Sequence, residues 1–278
     1  MQAGGLRIGC FGKIRSARDY VRLNASLPTA AALVAWIEQG RQDMLERTDA
    51  SHGAFGNETA RRRIAFGLPG SSELLAGVIR PSTDEGGLRE FPFAAFTCFP
   101  RRAFARGYYL LPLALGRVWD VLDDAWDALT GAAGPAAFRE LADGLLCPAP
   151  DDPDALATRY RASLQDEVGW AGSVELTRPF GAQGPVSAPV SRDLEQACFD
   201  ATFWIDYLDK LRDARGREPA VFIDSTPNCA VRLADFAAGL RPEDYGYLMG
   251  CSATEPPPVA SPAAPPRPTF AQLLGSGR

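Results

Sequence analysis

The fold class of this chain is decided by two apolar runs, Leu-Leu-Ala-Gly-Val-Ile-Arg at residues 74–80 and Phe-Ala-Ala-Phe-Thr-Cys-Phe at residues 93–99. Pro81 ends the first run, Pro92 precedes the second, and the polar stretch between them contains Gly86 and Gly87. A strand, a polar loop and a second strand predict an antiparallel hairpin with a long connection. Residues 71–76 fit a helical turn equally well, which leaves two interpretations for the start of the hairpin.

Further strands are predicted on both sides of this hairpin. Residues 6–11 alternate apolar with small or polar side chains, and a loop is expected from residue 12 to residue 27. Three other apolar runs have the length of strands, at residues 63–68, 220–224 and 231–236.

Apolar residues at helical spacing predict helices over residues 28–47, 112–130, 135–145, 153–166, 194–211 and 242–249. Ser26 or Leu27 caps the first of these helices, with Ser26 preferred on chemical grounds, and Asp193 or Ser191 caps the long aromatic one. The helix over 112–130 carries aspartates at 120, 123, 124 and 127 on its polar face. We expect this face to be solvated, with a metal ion or a basic partner as the alternative.

The carboxyl-terminal part of the chain is predicted to be a disordered, proline-rich tail. Residues 255–268 contain 7 prolines in 14 positions, and proline fixes φ and removes a hydrogen-bond donor. We therefore divide the chain into one folded domain, residues 1–252, and a tail, residues 253–278. A short apolar stretch at 269–274 is either a docking segment or part of the disordered end.

Composition and residue counts exclude several classes of function. The net charge is −5, which offers no electrostatic footprint for nucleic acid or an anionic membrane, and no apolar run reaches the ~18 residues of a membrane span. The six cysteines show no CxxC spacing and are expected to be small buried hydrophobes. The one histidine, His52, lies in a polar stretch and is expected to be a solvated loop residue. No cofactor and no metal are expected.

Two polar clusters remain as candidates for function. The first, Gly9-Cys10-Phe11-Gly12-Lys13, fails the test for a phosphate loop because Ile14 stands where a Ser or Thr is needed. Its glycines are better explained by a tight strand exit or a close approach of another backbone. The second cluster follows Pro81 and contains Ser82 and Asp84. An ion pair between Asp84 and Arg89 is expected to lock this loop.

At these two clusters the sequence resembles the TagF family (also called ImpM), the accessory proteins of bacterial type VI secretion systems. The first signature of the family is matched by Gly9, Phe11, Gly12, Lys13, Asp19, Val21 and Arg22. The second is matched by Gly77, Val78, Pro81, Ser82, Asp84, Arg89, Phe91 and Pro92. The sequence departs from the first signature at Arg15, Arg18 and Tyr20.

The resemblance implies an α/β (α+β) fold with a central, mostly antiparallel sheet flanked by helices. It also implies a cytoplasmic, non-catalytic protein that restrains secretion after translation by binding the forkhead-associated scaffold protein of the apparatus. Other cytoplasmic components of the apparatus are further possible partners. The expected partner-binding or motif residues are those that match the signatures: Gly9, Phe11, Gly12, Lys13, Asp19, Arg22, Pro81, Ser82, Asp84, Arg89, Phe91 and Pro92.

Our hypothesis is that residues 12–22 and 82–92 lie together and form part of a partner-binding surface. Alanine at Lys13 or Asp84 is then expected to weaken binding and to leave thermal stability nearly intact. The alternative is a small hydrolase or nucleotide-dependent enzyme that uses Lys13, Ser82 and Asp84, which must then meet in a concave pocket. A structural component of the apparatus is a third possibility.

Overall fold

The computed structural model describes residues 5–47, 61–87, 89–104, 107–165, 186–212, 220–224, 232–235, 240–242 and 244–249. The predictions for His52, Cys229, Cys251 and the proline-rich tail lie outside the described residues. The division into one domain and a tail therefore stays a prediction.

The centre of the fold is an antiparallel sheet of eight strands, in the order β2-β1-β5-β4-β3-β8-β9-β7. Each neighbouring pair in this order is antiparallel, and the short strand β6 pairs with the beginning of β1. The predicted α/β (α+β) class with a mostly antiparallel sheet is confirmed. The strands are β1 Leu6–Gly12, β2 Val21–Leu23, β3 Arg62–Gly67, β4 Glu73–Arg80, β5 Phe93–Pro100, β6 Leu146–Cys147, β7 Val186–Pro189, β8 Ala220–Asp224 and β9 Arg232–Asp235.

The predicted hairpin is formed by β4 and β5, which pair without interruption from Glu73 opposite Pro100 to Arg80 opposite Phe93. The alternative of a helical turn over residues 71–76 is wrong, because Leu74, Leu75 and Ala76 pair with the partner strand. Residues 81–92 form the connection, so both its ends lie at one end of the sheet.

Helices cover both faces of the sheet. On one face lie α1 (Pro28–Arg47) and α6 (Asp244–Met249), and on the other lie α2 (Leu111–Thr130), α3 (Pro135–Gly144), α4 (Pro153–Gln165) and α5 (Leu194–Arg212). Side chains alternate between the two faces, so Leu74 packs toward α2 whereas Leu75 packs toward α1. Two-sided burial explains why the central strands are almost uninterrupted apolar runs.

The helix boundaries agree closely with the sequence prediction. The first helix spans the predicted residues 28–47, and Leu27 occupies its cap position because its carbonyl accepts the first helical bond, from the Ala31 N–H at 2.8 Å. For α5 the structure selects Asp193, whose Oδ1 accepts the Gln196 N–H at 2.9 Å. Gly131 follows the last residue of α2, as predicted.

Three short strands were not predicted. The strand β2 lies inside the expected loop of residues 12–27, and β6 and β7 were also missed. These strands have three, two and four residues, which is too short for alternation to stand out from a loop.

The acidic face of α2 is only partly solvated, which corrects the expectation. Asp123 is buried, and its Oδ2 lies 2.6 Å from Arg63 Nη2 on β3. Burial raises the pKa of Asp123, and the attraction of Arg63 opposes that shift. Asp120, Asp124 and Asp127 are exposed as expected, and Asp127 also pairs with Arg80. Among the described residues these aspartates form no group of three that could hold a metal ion.

The four described cysteines are free thiols, and Cys10, Cys147 and Cys198 are buried as expected. Burial raises the pKa of Cys147 and of Cys198 to about 12, so both are protonated at neutral pH. No helix in the described part of the chain has the length and apolarity to cross a membrane.

The packing of α2 on the sheet yields a stability prediction. Trp119 is fully buried, and its Nε1–H donates to the Ile64 carbonyl on β3 at 3.2 Å. Trp119→Ala should lower the free energy of unfolding by about 3–5 kcal/mol, because it leaves a cavity and removes the bond to the Ile64 carbonyl. Denaturant unfolding measures this, with Leu146→Ala, at a side chain that is 54% exposed, as the near-neutral control. Equal effects of the two variants would contradict the described core.

Candidate functional site

The residues that follow β1 meet the connection between β4 and β5 at one end of the sheet. We call residues 13–20 the Lys13 loop and residues 81–92 the Asp84 loop. Lys13 Nζ donates to Asp84 Oδ2 at 3.2 Å and to the Arg18 carbonyl at 3.0 Å. Lys13 is 3% exposed and Asp84 is 8% exposed, so the ion pair is buried between the loops. The hypothesis that the two loops lie together is confirmed.

Backbone hydrogen bonds also join the Lys13 loop to the Asp84 loop and hold the Asp84 loop together. The Glu85 N–H donates to the Ala17 carbonyl at 3.2 Å, which joins the two loops a second time. Within the Asp84 loop, the Phe91 N–H donates to the Ser82 carbonyl at 2.9 Å, and the Arg89 N–H donates to Asp84 Oδ1 at 3.3 Å. One aspartate therefore accepts bonds from both loops.

The predicted ion pair between Arg89 and Asp84 is not the main interaction that holds the Asp84 loop. Arg89 Nε lies 4.0 Å from Asp84 Oδ2, and the Arg89 side chain is 76% exposed. A solvated pair at this distance contributes little. The loop is held by the Lys13 ammonium and by the backbone of Arg89 instead.

The two glycines of the first signature allow close packing, as the sequence indicated. Gly12 has φ +138°, a conformation that disfavours any side chain, and a Cβ there would collide with the Pro92 carbonyl oxygen. Gly9 lies opposite Phe96 on β5, and the Phe96 ring occupies the space that a Cβ would need. The motif thus brings the end of β1 against the beginning of β5.

Three aromatic rings pack together at the two loops. Phe91 packs edge-on against Phe11 and Tyr20, with centroid distances of 5.7 and 4.6 Å. The Tyr20 ring centroid also lies 5.1 Å from Lys13 Nζ, in the range of a cation–π contact. Phe11 and Phe91 are buried, whereas Tyr20 is 50% exposed and presents the side of the cluster that faces solvent.

The structure divides the twelve expected site residues by exposure. Only Asp19, Arg22 and Arg89 are exposed, and Pro81 is half-buried. The other eight are buried and hold the loops in place: Gly9, Phe11, Gly12, Lys13, Ser82, Asp84, Phe91 and Pro92. The expectation that alanine at Lys13 or Asp84 would spare stability is therefore wrong in its premise, because each would leave a buried charge without its partner.

The accessible part of the site is a groove that sequence reasoning did not identify. It has a volume of about 470 Å³ and lies between residues 16–22 on one side and α3 on the other. Glu85, Pro135, Phe138 and Arg139 complete its lining. Nothing in the sequence places Arg139 beside the Lys13 loop, since the contact joins segments more than 100 residues apart.

The geometry does not favour the enzyme alternative. Lys13 and Asp84 lie within hydrogen-bond distance but are buried, and Ser82 Oγ is buried without a hydrogen-bond partner among the described residues. None of the three lines the groove described above. A second, open groove of about 510 Å³ beside β6, lined by Arg117, Asp120 and Leu146 among others, does not include them either.

The part of the chain that contains the two loops matches a known protein family. Residues 9–145, which contain both loops and α3, match the family described as "TagF N-terminal domain, Type VI secretion system-associated". The protein is thus of the type VI secretion-associated class. Residues 9–145 form a TagF N-terminal domain, which confirms the resemblance found in the two signatures.

Two solved structures are similar to the chain over most of its length. The crystal structure of PA0076 from Pseudomonas aeruginosa PAO1 has 15% identity and a TM-score of 0.48, covering 93% of this chain and all of that one. An RNA-binding Light-Oxygen-Voltage receptor has 11% identity and a TM-score of 0.20, covering 87% and 97%. Likeness at these scores carries no argument about function. No curated protein matches the sequence.

The buried ion pair is tested by a double-mutant cycle. Lys13→Met and Asp84→Asn should each lower the free energy of unfolding by about 3–5 kcal/mol, because each leaves a buried polar group unpaired. The double variant should lose less than the sum, with a coupling of about 1–3 kcal/mol.

The matched control for this cycle is the pair Arg18–Glu85, which joins the same loops at the surface with a distance of 3.5 Å. Its side chains are 90% and 57% exposed, so alanine at both should show almost no coupling. Strictly additive effects at Lys13 and Asp84 would show that the pair does not hold the loops.

The close approach at Gly12 gives a separate prediction. Gly12→Ala should lower the unfolding free energy by about 2 kcal/mol or more, because both the positive φ and the Pro92 carbonyl oppose a Cβ. Gly144→Ala is the control, since a Cβ at the end of α3 meets no atom within 4 Å. Thermal unfolding compares the two, and a tolerated Gly12→Ala would refute the close approach.

Proposed function

We propose that the protein is a post-translational regulator of type VI secretion that acts by binding the forkhead-associated scaffold protein of the apparatus. In this proposal it resides in the cytoplasm, represses secretion and catalyses no reaction. The support is the TagF N-terminal domain together with the geometry of its two loops, in which buried residues hold a set of exposed polar side chains.

The proposal rests mainly on one observation: the residues that hold the two loops together are buried, and other side chains of the same loops are exposed. Lys13 and Asp84 are buried and paired, while Tyr20, Arg22 and Arg89 are exposed around them. Such a surface is already ordered before a partner arrives, so binding costs less conformational entropy. Tyrosine and arginine are also the side chains enriched at the energetic centres of protein interfaces.

Direct binding is tested with the purified chain and the purified forkhead-associated scaffold protein of the same apparatus. We expect a complex of fixed stoichiometry in size-exclusion chromatography with light scattering. Tyr20→Ala should weaken the complex about tenfold or more, because it removes the exposed ring at the centre of the surface.

Two readouts keep this test interpretable. The Tyr20→Ala variant must retain the circular dichroism spectrum of the parent, and Leu146→Ala, at an exposed apolar residue on β6, must bind normally. The absence of any complex at micromolar concentrations would refute the proposed partner. Stoichiometric incorporation of the chain into the assembled apparatus would instead support a structural component.

Regulation is tested in cells. Overproduction of the chain should lower the amount of type VI substrates in the medium while the level of the scaffold transcript stays constant, since the proposed control acts after translation. The Lys13→Met/Asp84→Asn variant should lose this effect. Secretion that rises on overproduction, or that falls only together with the transcript, would contradict the proposal.

A further inference from the structure

The groove beside β2 combines charge, an aromatic wall and an apolar base. Its lining includes three guanidinium groups, from Arg18, Arg22 and Arg139, and two carboxylates, from Asp19 and Glu85. We call it the Arg22 groove. It lies at the edge of the sheet, because β2 is the terminal strand in the strand order.

The charges in the Arg22 groove are not balanced internally. Arg18 is matched by Glu85 at 3.5 Å, whereas Arg22 and Arg139 form no ion pair with any residue in the described ranges. The lining therefore has one more cation than anions. The chain as a whole carries −5, so this positive site stands on an acidic molecule.

The positive charge of the groove on a negatively charged chain favours a negatively charged ligand. A negatively charged segment is repelled by most of an acidic surface and attracted by the Arg22 groove, which orients its approach. Guanidinium groups bind carboxylates through paired N–H donors, so two unpaired arginines suit two acidic side chains.

The remaining lining suits a polypeptide rather than a free ion. Phe138 and Ala17 are buried beneath the groove, and Tyr20 stands at its wall with its ring held against Phe91. The half-exposed Tyr20 ring offers surface to the aliphatic parts of a peptide, and the neighbouring arginines offer donors to its carboxylates.

We propose that the Arg22 groove binds an acidic, extended segment of a partner protein, with carboxylates against Arg22 and Arg139 and apolar groups against Tyr20. That the partner is the forkhead-associated scaffold rests on the proposed function. The chemistry of the groove does not, and it is tested separately.

The test uses the full chain and the variant Arg22→Glu/Arg139→Glu. The first probe is a fluorescent peptide of alternating glutamate and leucine, measured by anisotropy, and a peptide with lysine in place of glutamate controls for its apolar part. The glutamate peptide should bind the parent chain, and affinity should fall about tenfold or more in the variant. Raising salt from about 50 mM to about 300 mM should weaken binding to the parent.

The matched control is Arg102→Glu/Arg192→Glu, which makes the same number of Arg→Glu changes as the groove variant. Both arginines are exposed and neither lines the groove. Arg102 follows the end of β5, and Arg192 follows β7, which lies at the opposite edge of the sheet from β2. The control variant should bind the glutamate peptide like the parent. Equal weakening in the control variant and in the groove variant would show that overall charge alone attracts the peptide and would overturn the site. Equal binding of the lysine peptide would overturn the charge argument.

The second probe is the purified forkhead-associated scaffold, which separates the two proposals. A scaffold complex that forms with the parent and is lost in the groove variant supports both. A complex that survives in the groove variant leaves the proposed function standing and refutes the groove as its contact surface. No scaffold complex with the parent refutes the proposed partner, and the peptide result then decides the groove alone.

Discussion

A buried lysine and a buried aspartate cannot be separated without a large cost in free energy. Transfer of each charge from water into the protein is unfavourable, and the attraction between the two compensates only while they remain close. Because Lys13 follows β1 and Asp84 lies in the connection between β4 and β5, this electrostatic requirement couples loops that are 71 residues apart. The ion pair therefore fixes the position of one loop relative to the other. The exposed side chains on the loops are fixed relative to one another as a result.

The pairing of strands in the sheet brings the Lys13 loop and the Asp84 loop together. Because β1 pairs with β5, the residue that ends β1 and the residue that begins β5 arrive at the same end of the sheet. Gly12 lets the two backbones touch there, and the buried rings of Phe11 and Phe91 pack edge to face beside this contact. Helices on both faces bury the underlying strands, so the loops extend from a buried sheet.

Much of the fold could be predicted from the sequence because its evidence is local. The bounds of α1, the hairpin of β4 and β5 and the cap of α5 all depend on patterns within about twenty residues, where periodicity and capping chemistry are readable. The expected close approach of another backbone is confirmed at Gly12, whereas at Gly9 the space for a Cβ is filled by the Phe96 side chain.

What could not be predicted depends on contacts between distant segments. Burial of Lys13 and Asp84, the pair of Asp123 with Arg63, and the position of Arg139 beside the Lys13 loop are set by tertiary packing, which one sequence does not encode in any local pattern. The signatures therefore do not separate buried from exposed side chains: most signature residues are buried, whereas Asp19, Arg22 and Arg89 are exposed, as are neighbours such as Tyr20 and Arg18.

The central claim is that buried pairing of the two loops prepares a binding surface beside them. Amide hydrogen exchange with mass spectrometry tests it most directly, on the free chain and on the chain mixed with the proposed partner, the forkhead-associated scaffold. The account predicts that the amides of Glu85 and Phe91, which are hydrogen-bonded in the structure, already exchange slowly in the free chain. It also predicts that the complex further slows exchange in residues 16–22 and 135–139. Rapid exchange of both loops in the free chain, or new protection confined to another face, would contradict it.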